Sequence, residues 1–168
     1  MTTARRAAVL AAGAVLLVAG IVVVVWRTLD DDPSPPALVS DVTGADAPFG
    51  ALTAGTIEVG GRTVDVVVAD DLDERIQGLR GRSDPSPYTG MLFVFGRDST
   101  SAFTMAGVPA PLQIAFFDER GRRVDEMRMA PCAGTDASCP TYESSAPYRY
   151  VLETAPGDMP SGRLRVRG

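Results

Sequence analysis

The residues best placed to do chemistry in this sequence are two cysteines, Cys132 and Cys139, and a polar cluster made of Glu74, Arg75, Gln77 and Arg82. The cysteines have six residues between them in a stretch rich in Gly, Ser and Thr, which suits a structural disulfide. A redox pair would more typically be Cys-x-x-Cys, and zinc would need more ligands than two cysteines supply. In the polar cluster, the guanidinium forks of Arg75 and Arg82 match a carboxylate or phosphate bidentately. The alternative is that an arginine pairs internally with an acid. Arg75 sits mid-helix and is expected to pair internally, whereas Arg82 follows the helix in a loop and is expected to face a groove. Internal pairing is the favoured reading of the cluster as a whole, and Arg82, Glu74, Arg75 and Gln77 are the candidate ligand-binding residues.

Absences narrow the chemistry further. The chain has no histidine and no lysine, so Ser-His-Asp and Cys-His arrangements, Schiff bases and a Walker phosphate loop are excluded within it. Catalysis would have to rest on carboxylates, tyrosines, arginines or the two cysteines. A carboxylate pair is the one hydrolytic scheme the inventory comfortably permits, with Glu119, Asp125, Glu126 and Glu153 as candidates. The run Asp70, Asp71, Asp73 and Glu74 lacks the alternating spacing of a calcium loop, and acids at a helix start are favoured by the helix dipole alone. No metal and no cofactor are expected. Beyond Arg27 the chain holds 13 arginines against 21 acids, a balance of −8, which repels polyanions and argues against nucleic acid as a partner.

These residues need elements to hold them. Ala7 to Trp26 carries no charge over 20 residues, enough for a helix of about 30 Å to cross a bilayer. Arg5 and Arg6 before it and Asp30, Asp31 and Asp32 after it put the N-terminus in the cytoplasm and the remainder outside. A cleaved signal peptide is the competing reading, but cutting after the small residues Val18-Ala19-Gly20 would leave a mature chain starting with large apolar residues. The expected organisation is an anchor with a short tail over 1–27, a solvated linker over 28–54, and a β-rich domain over 55–168.

Within that domain Ile57 and Val59, then Val64, Val66 and Val68, alternate with polar neighbours around Gly60-Gly61, as in a β-hairpin. Asp71 to Glu74 opens a short helix with a capping box, and Leu72, Ile76 and Leu79 are expected to form its inner face, with Gly81 at the exit. Met91 to Phe95 is apolar on both faces, as in a buried central strand. Further strands are expected at Ala102 to Met105, Leu112 to Phe117, Val124 to Met129, Tyr148 to Thr154 and Leu164 to Val166. A turn at Asp118 to Gly121 and a bulge near Asp125 or Glu126 complete the pattern. The fold class is mainly β, a small β-sandwich or barrel with one short helix, preceded by a single transmembrane helix. The aromatic residues sit at strand periodicity and read as core.

Several ordered motifs carry a family likeness. They are Asp73-Glu74-Arg75-Ile76-Gln77-Gly78-Leu79-Arg80-Gly81-Arg82, Gly90-Met91-Leu92-Phe93-Val94-Phe95, Pro111 to Phe116, Pro131-Cys132 with Cys139-Pro140-Thr141-Tyr142, and Arg149-Tyr150-Val151-Leu152-Glu153. Together, from about Thr56 to Gly157, they resemble the domain of unknown function 192 family. The resemblance implies a mostly β, jelly-roll-like domain, often secreted or membrane-anchored, with no established activity. The chain departs from that pattern at Thr104, Ala106, Gly107 and Val108, where relatives tend to have tryptophan, lysine, asparagine and threonine, and at Gln113, where an aspartate is usual. The functional expectation is a non-catalytic binding or interaction module of the cell envelope, with an envelope protein or polysaccharide as partner. The alternative is a carboxylate-dependent hydrolase acting on envelope polysaccharide or peptide.

Overall fold

The computed structural model describes residues 15–18, 21–24 and 38–166. Most of the apolar run, and with it most of the expected transmembrane helix, lies outside the described residues. Its described parts, β1 (Val15–Val18) and β2 (Ile21–Val24), pair antiparallel, an arrangement that suits their β-branched valines and isoleucine. No helix among the described residues is long and apolar enough to cross a membrane. This segment forms a compact unit of its own.

The second unit is built on a seven-stranded sheet. Its strands are β3 (Ser40–Gly44), β4 (Thr53–Val59), β5 (Arg62–Ala69), β6 (Gly90–Ser99), β8 (Leu112–Phe117), β9 (Arg123–Met129) and β11 (Tyr148–Thr154), in the spatial order β3-β4-β5-β6-β11-β8-β9. A small second sheet pairs β7 (Phe103–Thr104) with β10 (Thr141–Tyr142). The helix α1 (Leu72–Gln77) lies in the connection from β5 to β6. That pair is parallel whereas the other pairs of the sheet are antiparallel, so the chain has to cross over between them.

The expected hairpins at Gly60-Gly61 and at Asp118 to Gly121 are present. The bulge falls between Phe116 and Phe117, opposite Val124, one residue before the expected position. Leu164 makes a single bridge to Val59 instead of lying in a strand.

Two corrections concern the architecture. The strands do not divide into two facing sheets of a sandwich, and no closed barrel forms, because the outer strands β3 and β9 do not pair with each other. In addition, the expected linker over 28–54 includes part of the domain. From Leu38 onward the chain supplies β3, the start of β4, and the buried side chains of Leu38 and Phe49. Polar and small residues conceal this, since β3 reads Ser-Asp-Val-Thr-Gly and buries little.

Both faces of the sheet are buried. Val64, Val66, Val68, Leu92, Val94, Tyr150 and Leu152 join one apolar cluster, and Val67, Ala69, Met91, Phe93 and Val151 join the other. The first cluster is composed almost wholly of strand residues, with Leu38 and Leu164 added. A face covered by so little besides its own strands can stay dry only if the sheet curls around it. The C-terminal segment helps to bridge that curl: Gly60 N–H donates to the Arg163 carbonyl at 2.8 Å and Leu164 N–H donates to the Gly121 carbonyl at 2.9 Å. Gly60 and Gly121 are required there, because a Cβ would lie 2.0 Å from the Ser161 oxygen or 1.9 Å from the Leu164 oxygen.

Candidate functional site

On the other face of the sheet, α1 and the segments around β7 enclose a cavity of about 320 Å³. That is near the lower end of the range for small-molecule sites. Local sequence explains the position of α1. Asp71 accepts the Glu74 N–H at 2.8 Å, and the Glu74 carboxylate accepts the N–H groups of Asp70 and Asp71 at 3.0 and 3.2 Å, which is a capping box. The helix ends at Gly78, with φ 45°, earlier than the expected exit at Gly81. It has a single turn and a half, and none of its own residues is buried.

The expected inner face is corrected accordingly. Leu79 is buried, but it lies past the helix end, and Leu72 and Ile76 are 64% and 59% exposed. What holds the helix down is Leu79 beyond the turn and Arg75, whose guanidinium donates to the carbonyls of Asp70 and Val94 and lies 5.0 Å over the Phe95 ring. The internal partners of Arg75 are therefore carbonyls and a phenyl face, not the expected acid. With those anchors in place, Leu72 and Ile76 are left at the rim of the cavity.

Phe93, Phe95 and Phe103 form much of the wall, with Phe103 edge-on to Phe93 at 5.3 Å and to Phe116 at 5.7 Å. The aromatic residues read as core divide here: Phe93 and Phe116 are buried, while Phe95 and Phe103 are partly buried and line the cavity. Arg80 ties the rim together. It donates to the carbonyls of Ile76 and Ala106, and it forms an ion pair with Asp136 at 2.6 Å. Asp136 lies on the loop closed by the Cys132–Cys139 disulfide, whose Cα atoms are 5.9 Å apart. The disulfide loop is thereby a support of the rim.

Glu153 also lines the cavity, and it is the residue that sequence reasoning weighed too lightly. It lies on β11 between Met91 of β6 and Ile114 of β8, in register with both. It is 5% exposed, and among the described residues its carboxylate has no hydrogen-bond partner. Burial pushes its pKa up to about 8.

The other expected residues are placed less centrally. Gln77 donates to the Arg80 carbonyl at 3.3 Å and touches the cavity edge. Arg82 is not in this cavity: it donates to the Pro48 carbonyl at 2.7 Å, lies 4.4 Å over the Phe49 ring, and borders a separate depression of about 140 Å³. Glu74 borders that depression as well. The candidate hydrolytic acids do not assemble. Asp125 accepts the Ser145 N–H at 3.0 Å, which holds its carboxyl below the usual range, and Glu126 is bonded to Gln113 and Arg123. Neither they nor Glu119 line the cavity.

Replacing Arg82 with alanine is thus expected to lower stability by about 1 kcal/mol, from one lost hydrogen bond and the phenyl contact, without changing occupancy of the larger cavity. Urea denaturation of the variant beside a dye-binding titration checks both halves.

The profile of the DUF192 family, described as Uncharacterized ACR, matches residues 55–166. The chain belongs to the DUF192 family. Two solved structures resemble this DUF192 domain. One, from Sinorhizobium meliloti 1021 and described provisionally as a transcription regulator, is 28% identical and covers 67% of this chain and 90% of its own, with a TM-score of 0.53. The other, a protein of unknown function from Novosphingobium aromaticivorans DSM 12444, is 19% identical, covers 78% of this chain and 95% of its own, and has a TM-score of 0.60, a likeness of fold alone. No curated protein matches the chain.

Proposed function

We propose that this protein is a membrane-tethered, extracytoplasmic binding module whose cavity takes a small, largely apolar ligand or a partner's side chain. The observation that carries the binding reading is the rim. Three large apolar side chains are exposed among the described residues, Val42, Leu72 and Ile76, and two of them stand together at the mouth of the phenylalanine-walled cavity. Scattered exposed apolar residues need no explanation, but a pair flanking a cavity does. The tether and the extracytoplasmic placement are supported by the uncharged run from Ala7 to Trp26 and its flanking charges.

The hydrolase reading gains support from Glu153, whose raised pKa would suit a general acid. It needs a second carboxylate, and the other one at the cavity, Asp136, is already paired with Arg80. The balance of −8 beyond Arg27 weighs against nucleic acid as a partner of this chain.

The test has two arms. A reporter fused after Gly168 is expected to be active only outside the cytoplasm, with the chain extracted from membranes only by detergent. The purified full chain is expected to bind the neutral apolar dye N-phenyl-1-naphthylamine saturably, and Ile76→Glu, at an exposed position, to weaken that binding about tenfold without lowering stability. Release of a soluble form beginning near Ile21 would defeat the tether, and dye binding unaffected by Ile76→Glu would defeat the cavity.

A further inference from the structure

We infer that the ligand of this cavity is an apolar compound bearing a protonated amine, received by the carboxyl of Glu153. The inference rests on the binding reading above and adds the chemistry of the ligand. Among the described residues, Glu153 is the one ionisable side chain lining the cavity without a hydrogen-bond or ion-pair partner. Arg80 is matched by Asp136, and Arg75 is spent on the carbonyls of Asp70 and Val94. Met91 and Ile114 flank Glu153 on the neighbouring strands, and the other ionisable side chains that line the cavity are Arg75, Arg80 and Asp136. Protein groups give its carboxyl no donor, so a donor that enters the cavity meets oxygens free to accept.

The walls also favour a cation. Phe93 and Phe103 offer phenyl surface to a cation, the face of Phe95 being taken by the Arg75 guanidinium. The domain's negative balance raises the local concentration of cations, whereas an anion would meet arginines that are already engaged.

The proton balance follows from burial. In the empty cavity at pH 7 the carboxyl is mostly protonated, since its pKa is about 8. When an ammonium group enters, the carboxyl ionises, its proton passes to solvent, and a carboxylate–ammonium pair remains. Binding should therefore release about one proton per ligand at neutral pH.

Isothermal titration calorimetry of the full chain in detergent, in two buffers of different ionisation enthalpy, reads this directly. The probes are phenethylamine, 2-phenylethanol and 3-phenylpropionate. Phenethylamine is expected to bind at least about tenfold more tightly than the alcohol and to release a proton. Glu153→Gln should erase both the preference and the release. Equal or tighter binding of the alcohol or of phenylpropionate overturns the amine assignment and leaves the cavity as a binding site. Failure of all three to bind overturns the binding reading with it.

Discussion

Glu153→Gln is expected to stabilise the protein at neutral and alkaline pH and to make its stability nearly independent of pH between about 4.5 and 8. The sign follows from burial. A carboxyl whose pKa rises from 4.5 in the unfolded chain to about 8 in the folded one binds more protons when folded across that window. Its contribution is fully present below about pH 4.5 and is lost as the pH rises through 8. Glutamine imitates the protonated form at every pH. The variant should therefore match the wild type at pH 4 and exceed it by roughly 3 kcal/mol at pH 7 and 4–5 kcal/mol at pH 9. Chemical denaturation at the three values checks this. A constant difference across them would mean that Glu153 is ionised in the native state or relieved by a partner.

Removing the disulfide is the second large effect expected. The bridge between Cys132 and Cys139 closes a loop of seven steps, which the chain-entropy account values at about 2.5 kcal/mol. For a domain of this size that corresponds to a fall in melting temperature of roughly 10 °C. The loop has a second task, because Cys132 bridges Ala106 and Val108, Gly107 N–H donates to the Cys132 carbonyl at 3.0 Å, and Asp136 holds Arg80. A Cys132→Ser, Cys139→Ser variant should accordingly lose ligand affinity as well as stability. Asp136→Asn separates the two contributions: it should keep the melting temperature within a few degrees, because the pair is exposed, yet reproduce part of the affinity loss. A disulfide variant that melts lower but binds normally would show that the loop braces the fold and not the rim.

The elements with strong periodicity were readable from the sequence. Leu112–Phe117 and Tyr148–Thr154 fall where alternation places them, and Met91 to Phe95, apolar on both sides, forms the middle of the sheet. The edge was not readable. Strand β3 packs little and is specified by pairing with β4, so no hydrophobic pattern marks it.

The site was only partly legible, for a reason specific to short helices. Leu72, Ile76 and Leu79 have the spacing of a buried face, but the turn at Gly78 separates Leu79 from the other two and lets it alone reach the core. Glu153 did leave a signal. It shares the parity of Val151 on a strand with both faces buried, so an acid there had to point into an apolar face. Its exit into a cavity depended on α1 and β7, which lie far away in sequence.

The parallel pairing of β5 and β6 has a bearing on how such a domain can diversify. The crossover it requires can be supplied by any segment that spans the gap, and here the segment's outward residues play no part in holding the sheet. Topology is thus decided by valines in the strands, and recognition by a few solvent-facing positions on a separate stretch of chain. Selection, or an engineer, can rewrite Leu72 and Ile76 repeatedly with little penalty in folding, as expected for exposed sites. The same scaffold can in this way acquire new ligands by changes confined to one short segment.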